Sequence, residues 1–125
     1  MLRRICYRVG VLVVAASFLA GCGGDSKPPE AVSAEAAPGA VKEAFQDASP
    51  EAQANAESAI AAMESQDTPR AFIELQSMMA RPDLTPEQRE IAAGSLRTVA
   101  EQLRAAAEAG NAAAQEMLKT HQARK

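Results

Sequence analysis

Aromatic residues are almost missing from this 125-residue chain, which has no Trp, one Tyr and three Phe. Tyr7 and Phe18 lie in an N-terminal segment, so only Phe45 and Phe72 remain to build a core. The apolar fraction is carried largely by Ala, which buries little area per residue. That excludes a core of large interdigitated side chains. It points to thin, closely packed helices of low or partner-dependent stability. Histidine occurs once, at His121, and cysteine twice, at Cys6 and Cys22. No run alternates as a β-strand does, so no Gly-rich phosphate loop can follow a strand.

The N-terminus carries the most specific signal. Arg3, Arg4 and Arg8 form a positive region, and Val9 to Ala20 is an apolar run broken by one Ser. About a dozen apolar residues is the length of a signal-peptide core, too short to cross a bilayer, which takes about 20. The run ends in Leu19-Ala20-Gly21-Cys22. This box resembles the lipobox of bacterial lipoprotein precursors. The resemblance implies a type II signal peptide over residues 1–21, cleavage before Cys22, and a diacylglycerol on the Cys22 thiol. Small Ala20 and Gly21 suit a narrow peptidase site, and the thiol is the nucleophile for thioether formation. Two or three acyl chains, at about 0.8 kcal/mol per buried CH₂, hold a protein stably on a membrane. Gly23 stands where an Asp usually marks inner-membrane retention in Gram-negative lipoproteins. The resemblance therefore implies the outer membrane, facing the periplasm, in a host with two membranes.

Loss of that segment changes the charge. Three of the thirteen basic residues and none of the sixteen acidic ones precede Cys22, leaving ten against sixteen, a net of −6. An acidic surface argues against nucleic acid as a partner and against electrostatic docking on anionic lipid. Cys6 departs with the signal and Cys22 is alkylated, so no disulfide braces the mature chain.

Residues 22–40 read as a flexible tether, rich in Gly, Pro and Ala without apolar periodicity. About 18 such residues span about 20–25 Å on average and about 60 Å at full stretch. Residues 41–125 read as a small Ala-rich all-α domain of antiparallel helical hairpins or a bundle. Helices are expected near 40–48, 50–66, 69–80, 86–109 and 112–123. Ser49-Pro50-Glu51, Thr68-Pro69 and Thr85-Pro86-Glu87-Gln88 offer N-caps followed by Pro, and Gln88 can close a capping box on Thr85. Gly110 suits a helix end and Asn111 the next cap. The apolar stripes Val41/Phe45, Ala52/Ala56/Ala59/Ile60/Met63, Phe72/Leu75/Met78/Met79, Ala92/Leu96/Val99/Leu103 and Met117/Leu118/His121 have helical spacing.

Two further resemblances are short. Ser49 and Thr85 each open a helix with Pro then Glu, and Ala56, Ile60 and Met63 echo Ala92, Leu96 and Val99 at the same 36-residue offset. This resembles a tetratricopeptide-like period, and Ala107 to Gln115 resembles the turn of Sel1-type repeats, implying a helical-hairpin adaptor. Leu84-Thr85-x-x-Gln88 resembles the LTxxQ motif of Spy-like periplasmic chaperones, which implies a holdase. That family carries two copies of the motif and this chain one.

No constellation that would carry a reaction is evident, so no enzyme, cofactor or metal site is expected. His121 lacks a nucleophile partner and is expected as a solvated residue at a frayed terminus. Met63, Met78, Met79 and Met117 offer thioethers that bind Cu(I), but each falls on an apolar stripe where Met is a gap-filler. Arg97/Glu101 and Arg104/Glu108 read as i,i+4 surface pairs. The sequence thus leads to a lipid-anchored, non-enzymatic helical module. Its expected partners are the membrane, through Cys22, and another envelope protein or a second copy of itself.

Overall fold

The computed structural model describes residues 31–125. The expected signal peptide, Cys22 and the tether up to Glu30 lie outside the described residues. Within them the chain is all-α, with α1 Ala37–Phe45, α2 Pro50–Glu64, α3 Thr68–Met79, α4 Pro86–Glu108 and α5 Ala112–Ala123.

Local chemistry explains most of the boundaries. Ser49 is extended (ψ 153), the conformation favoured before a proline, and its hydroxyl accepts from the Ala52 N–H. Thr85 and Gln88 close the capping box reciprocally, at 3.1 and 3.0 Å. Asn111 caps α5 through the Ala114 N–H at 3.0 Å. Two expectations are corrected. The cap of α3 is Asp67, accepting from the Arg70 N–H at 3.3 Å, with Thr68 already helical. α1 runs three residues earlier than expected, beginning beside Pro38 and ending at Phe45. It stops there because the chain must straighten before Ser49-Pro50.

The boundary between tether and domain moves with α1. Residues 37–40 are helical, and Ser33 to Ala36 form a turn in which Ser33 accepts from the Ala36 and Ala37 N–H groups. The Thr98 hydroxyl on α4 reaches the Val32 and Gly94 carbonyls. The docked body therefore starts by Val32, well before the expected start at 41.

α1 touches α2 and α4, α2 touches α3, and α3 touches α4, which closes a four-helix ring. α5 lies on α4 and α3. Eight of the sixteen buried apolar residues are Ala, and α2 contributes only Ala to the core: Ala52, Ala56, Ala59 and Ala62. These let α2 approach closely while Val41, Phe45, Leu75, Met78, Val99 and Leu103 fill the space between helices. Burial at about 25 cal/mol per Å² then comes from many small contacts around a few large side chains.

The bundle has two distinct ends. At one, the α2–α3 and α4–α5 turns lie close together, and Ala34 and Glu35 share a depression with Gln66, Thr68, Gln102 and Asn111. The chain before α1 therefore enters at this turn end. At the other, the α1–α2 link meets the α3–α4 loop.

Candidate functional site

That second end is held by a polar clasp. The Arg81 guanidinium donates to both carboxylate oxygens of Asp83, at 2.9 and 2.7 Å, and the Ser49 hydroxyl donates to Asp83 at 3.2 Å. The Arg81 hydrogen bond holds the Asp83 carboxyl below its usual range, outweighing the opposing desolvation, and Ser49 adds in the same direction. Asp83 in turn raises Arg81. Arg89 donates to the Met79 and Arg81 carbonyls, closing the end of α3. Gln88, beyond its capping role, donates to the Ala44 carbonyl at 3.2 Å and so ties the start of α4 to the end of α1. The LTxxQ-like residues are thus committed to structure: Leu84 is buried, and Thr85 and Gln88 form the cap.

His121 is only partly exposed to solvent, unlike the free terminal residue expected. It is half-buried, its ring edge-on to Phe72 with centroids 5.3 Å apart, and Nδ1 lies 3.3 Å from Gln76 Nε2. It pins α5 to α3, and its helical spacing from Met117 and Leu118 is the signal that carried this. Met63 and Met78 do not converge. Met63 sits at the turn end of the α2–α3 hairpin and Met78 at the clasp end, separated by most of α3, about 15 Å. Arg97 pairs with Glu101 at 3.6 Å, and Arg70 with Glu74 at 3.9 Å. The expected Arg104–Glu108 pair does not form within the ion-pair distance. Among the described residues no group of three or more His, Cys, Asp and Glu is placed to hold a metal ion, and no helix is long and apolar enough to cross a membrane.

Two further grooves lie on the surface of the described residues. One, of about 490 Å³, lies between α1 and α2 over Phe45, Ala56, Ile60 and Ala61, with Lys42, Glu57 and Glu64 at its rim. The other, of about 570 Å³, lies between α4 and α5. Its floor is Phe72, Leu96, Ala100 and Leu118, and Arg97, Arg104, His121 and Lys125 stand around it with Glu101. α5 packs chiefly on α4 and meets α3 through His121, and this groove lies where the three helices come together. Neither groove is legible in the sequence, because both depend on which helices become neighbours.

The apparent repeat resolves into two offsets. The caps Ser49 and Thr85 stand 36 residues apart, but the turn residues Gln66 and Gly110 stand 44 apart. The difference is the greater length of α4, 23 residues against 15 in α2, or about two turns. No protein-family model matches the chain, and no curated protein or solved structure is significantly similar to it.

Proposed function

We propose that this is a lipid-anchored envelope protein that acts as a non-enzymatic interaction module, with Cys22 as its anchor. The observation that carries the reading is Leu19-Ala20-Gly21-Cys22, placed directly after a basic region and a short apolar run. In a Gram-negative host the anchor lies in the outer membrane and the domain faces the periplasm. The nine residues between Cys22 and Val32 make about ten steps that span at most about 35 Å, so the domain works near the bilayer. Anchoring there turns the turn end toward the membrane, with Glu35, Glu64, Asp67 and Glu108 nearest the lipid. The binding surface on this reading is an outer helix face or groove, as the alanine-lined helices permit close approach of another helix.

Replacing Cys22 with Ala tests the anchor. The expected result is an unprocessed precursor that takes up no labelled fatty acid. A normally processed, soluble chain would refute it. Crosslinking in native membranes tests the module: a specific protein partner or a second copy is expected, and recovery of uncrosslinked monomer alone would remove the reading.

A further inference from the structure

The outer faces of the bundle differ in sign. Residues 37–67 hold Glu43, Asp47, Glu51, Glu57, Glu64 and Asp67 against Lys42 alone. Residues 86–125 hold Arg89, Arg97, Arg104, Lys119, Arg124 and Lys125 against Glu87, Glu90, Glu101, Glu108 and Glu116, with the bases concentrated toward the later part of α4 and α5. The exposed stripe of α2 is acidic and small, with Ala54, Glu57, Ala61 and Glu64 along it and Ile60 half-buried beside it. The α4–α5 groove has an apolar floor with Arg97, Arg104 and Lys125 around it against one acid, Glu101, so its rim is basic on balance and complements that stripe. We propose that α2 of one copy seats in the α4–α5 groove of a second copy, head to tail. This rests on the reading of the domain as an interaction module and names one partner for it.

Three features favour a second copy as the occupant. The first is spacing. Glu57 and Glu64 are seven residues apart on α2, as Arg97 and Arg104 are on α4, and each interval covers about 10.5 Å. The second is position. α2 and α4 sit across the ring from each other and do not touch, so the two faces are on opposite sides of one molecule. The third is direction. Both helices run toward the turn end, so a sideways translation brings them together in parallel. The axial slide that pairs Glu57 with Arg97 and Glu64 with Arg104 is about four residues, or about 6 Å. Because translation keeps every turn end facing the same way, copies anchored in one membrane can make the contact without inverting. A contact between unlike faces related by translation does not close, so the product is a row of copies rather than a dimer.

The test uses two differently tagged full-length chains in the membrane, one with Ala61→Cys and the other with Ala100→Cys. Oxidation is expected to give a mixed disulfide at about tenfold the yield of Ala61→Cys with Glu90→Cys, a site near the clasp end. Adding Arg104→Glu to the second chain should lower the yield about tenfold, and Glu64→Arg on the first should restore it. Restoration cannot arise from misfolding, and thermal melts check each variant. Equal yields for the two cysteine pairs, or indifference to charge reversal, would overturn the proposal. If native-membrane crosslinking still captures a different protein, only the head-to-tail contact fails. If it captures nothing, the interaction reading fails with it.

Discussion

Between α2 and α3 the chain reverses through Ser65, Gln66 and Asp67; between α4 and α5 it reverses through Ala109, Gly110 and Asn111. The backbone hydrogen bonds agree one for one. Ser65, Gln66 and Asp67 donate to Ala61, Met63 and Ala62 at 3.0, 3.1 and 2.9 Å; Ala109, Gly110 and Asn111 donate to Ala105, Ala107 and Ala106 at 3.0, 3.1 and 2.9 Å. In each, the middle residue is left-handed, with φ 57 at Gln66 and 94 at Gly110, and the third residue caps the next helix. What the turns connect is different. α3 buries Ala71, Phe72, Leu75 and Met78, whereas α5 buries Ala114 alone. The comparison teaches that reversal is specified by a handful of local atoms, while stability is decided by the faces that meet afterwards. α5 is the lightly held element, and the groove beside it follows from that.

The largest test of this contrast is a matched truncation. Leu75, fully buried, should cost about 2–5 kcal/mol as Leu75→Ala, and half-buried Leu118 about 1 kcal/mol as Leu118→Ala. Urea unfolding measures both, and equal costs would erase the distinction between the hairpins. The turns can be exchanged next. A Cβ at Gly110 meets nothing within 4 Å, so Gly110→Ala is penalised only by its left-handed backbone, about 1 kcal/mol. Gln66→Gly should do the reverse and raise stability by about 0.5–1 kcal/mol. Thermal melts of the pair show whether the two turns are energetically equivalent.

A smaller gain is expected inside α4. The Ser95 hydroxyl is fully buried without a hydrogen-bond partner, so Ser95→Ala should stabilise by about 1 kcal/mol, read as a higher urea midpoint. The smallest effect lies at the clasp, which joins the two hairpins at their far end. Asp83 is held below its ordinary 3.8 in the folded state. Its contribution is complete above the unfolded value and is lost as pH falls through the lower folded value. A melt series across that acid range should therefore show a steeper loss for the native chain than for Asp83→Asn.

Much of the fold was legible because it is written in caps. Ser49, Thr85, Gln88, Gly110 and Asn111 each act locally, so a few neighbouring residues determine the outcome. Asp67 was hidden because Gln66 gives no hint of a left-handed backbone, and Thr68-Pro69 offered an equally good local cap. The start of the body by Val32 depends on Thr98, far along the chain, and no local pattern records it. The grooves were illegible for the same reason. Which alanines are buried, Ala62 and Ala71 but not Ala61, emerges only when the ring closes. The lipobox resemblance at Leu19-Ala20-Gly21-Cys22 differs from all of these, since it rests on residue order alone.

The central claim, that this helical body is carried on a lipid at Cys22, is tested most directly by the intact mass of the protein purified from membranes. The account predicts a chain that begins at Cys22 and exceeds its polypeptide mass by a diacylglyceryl group, with or without a further acyl chain. A chain that retains residues 1–21, or one that begins elsewhere and carries no lipid, would contradict it.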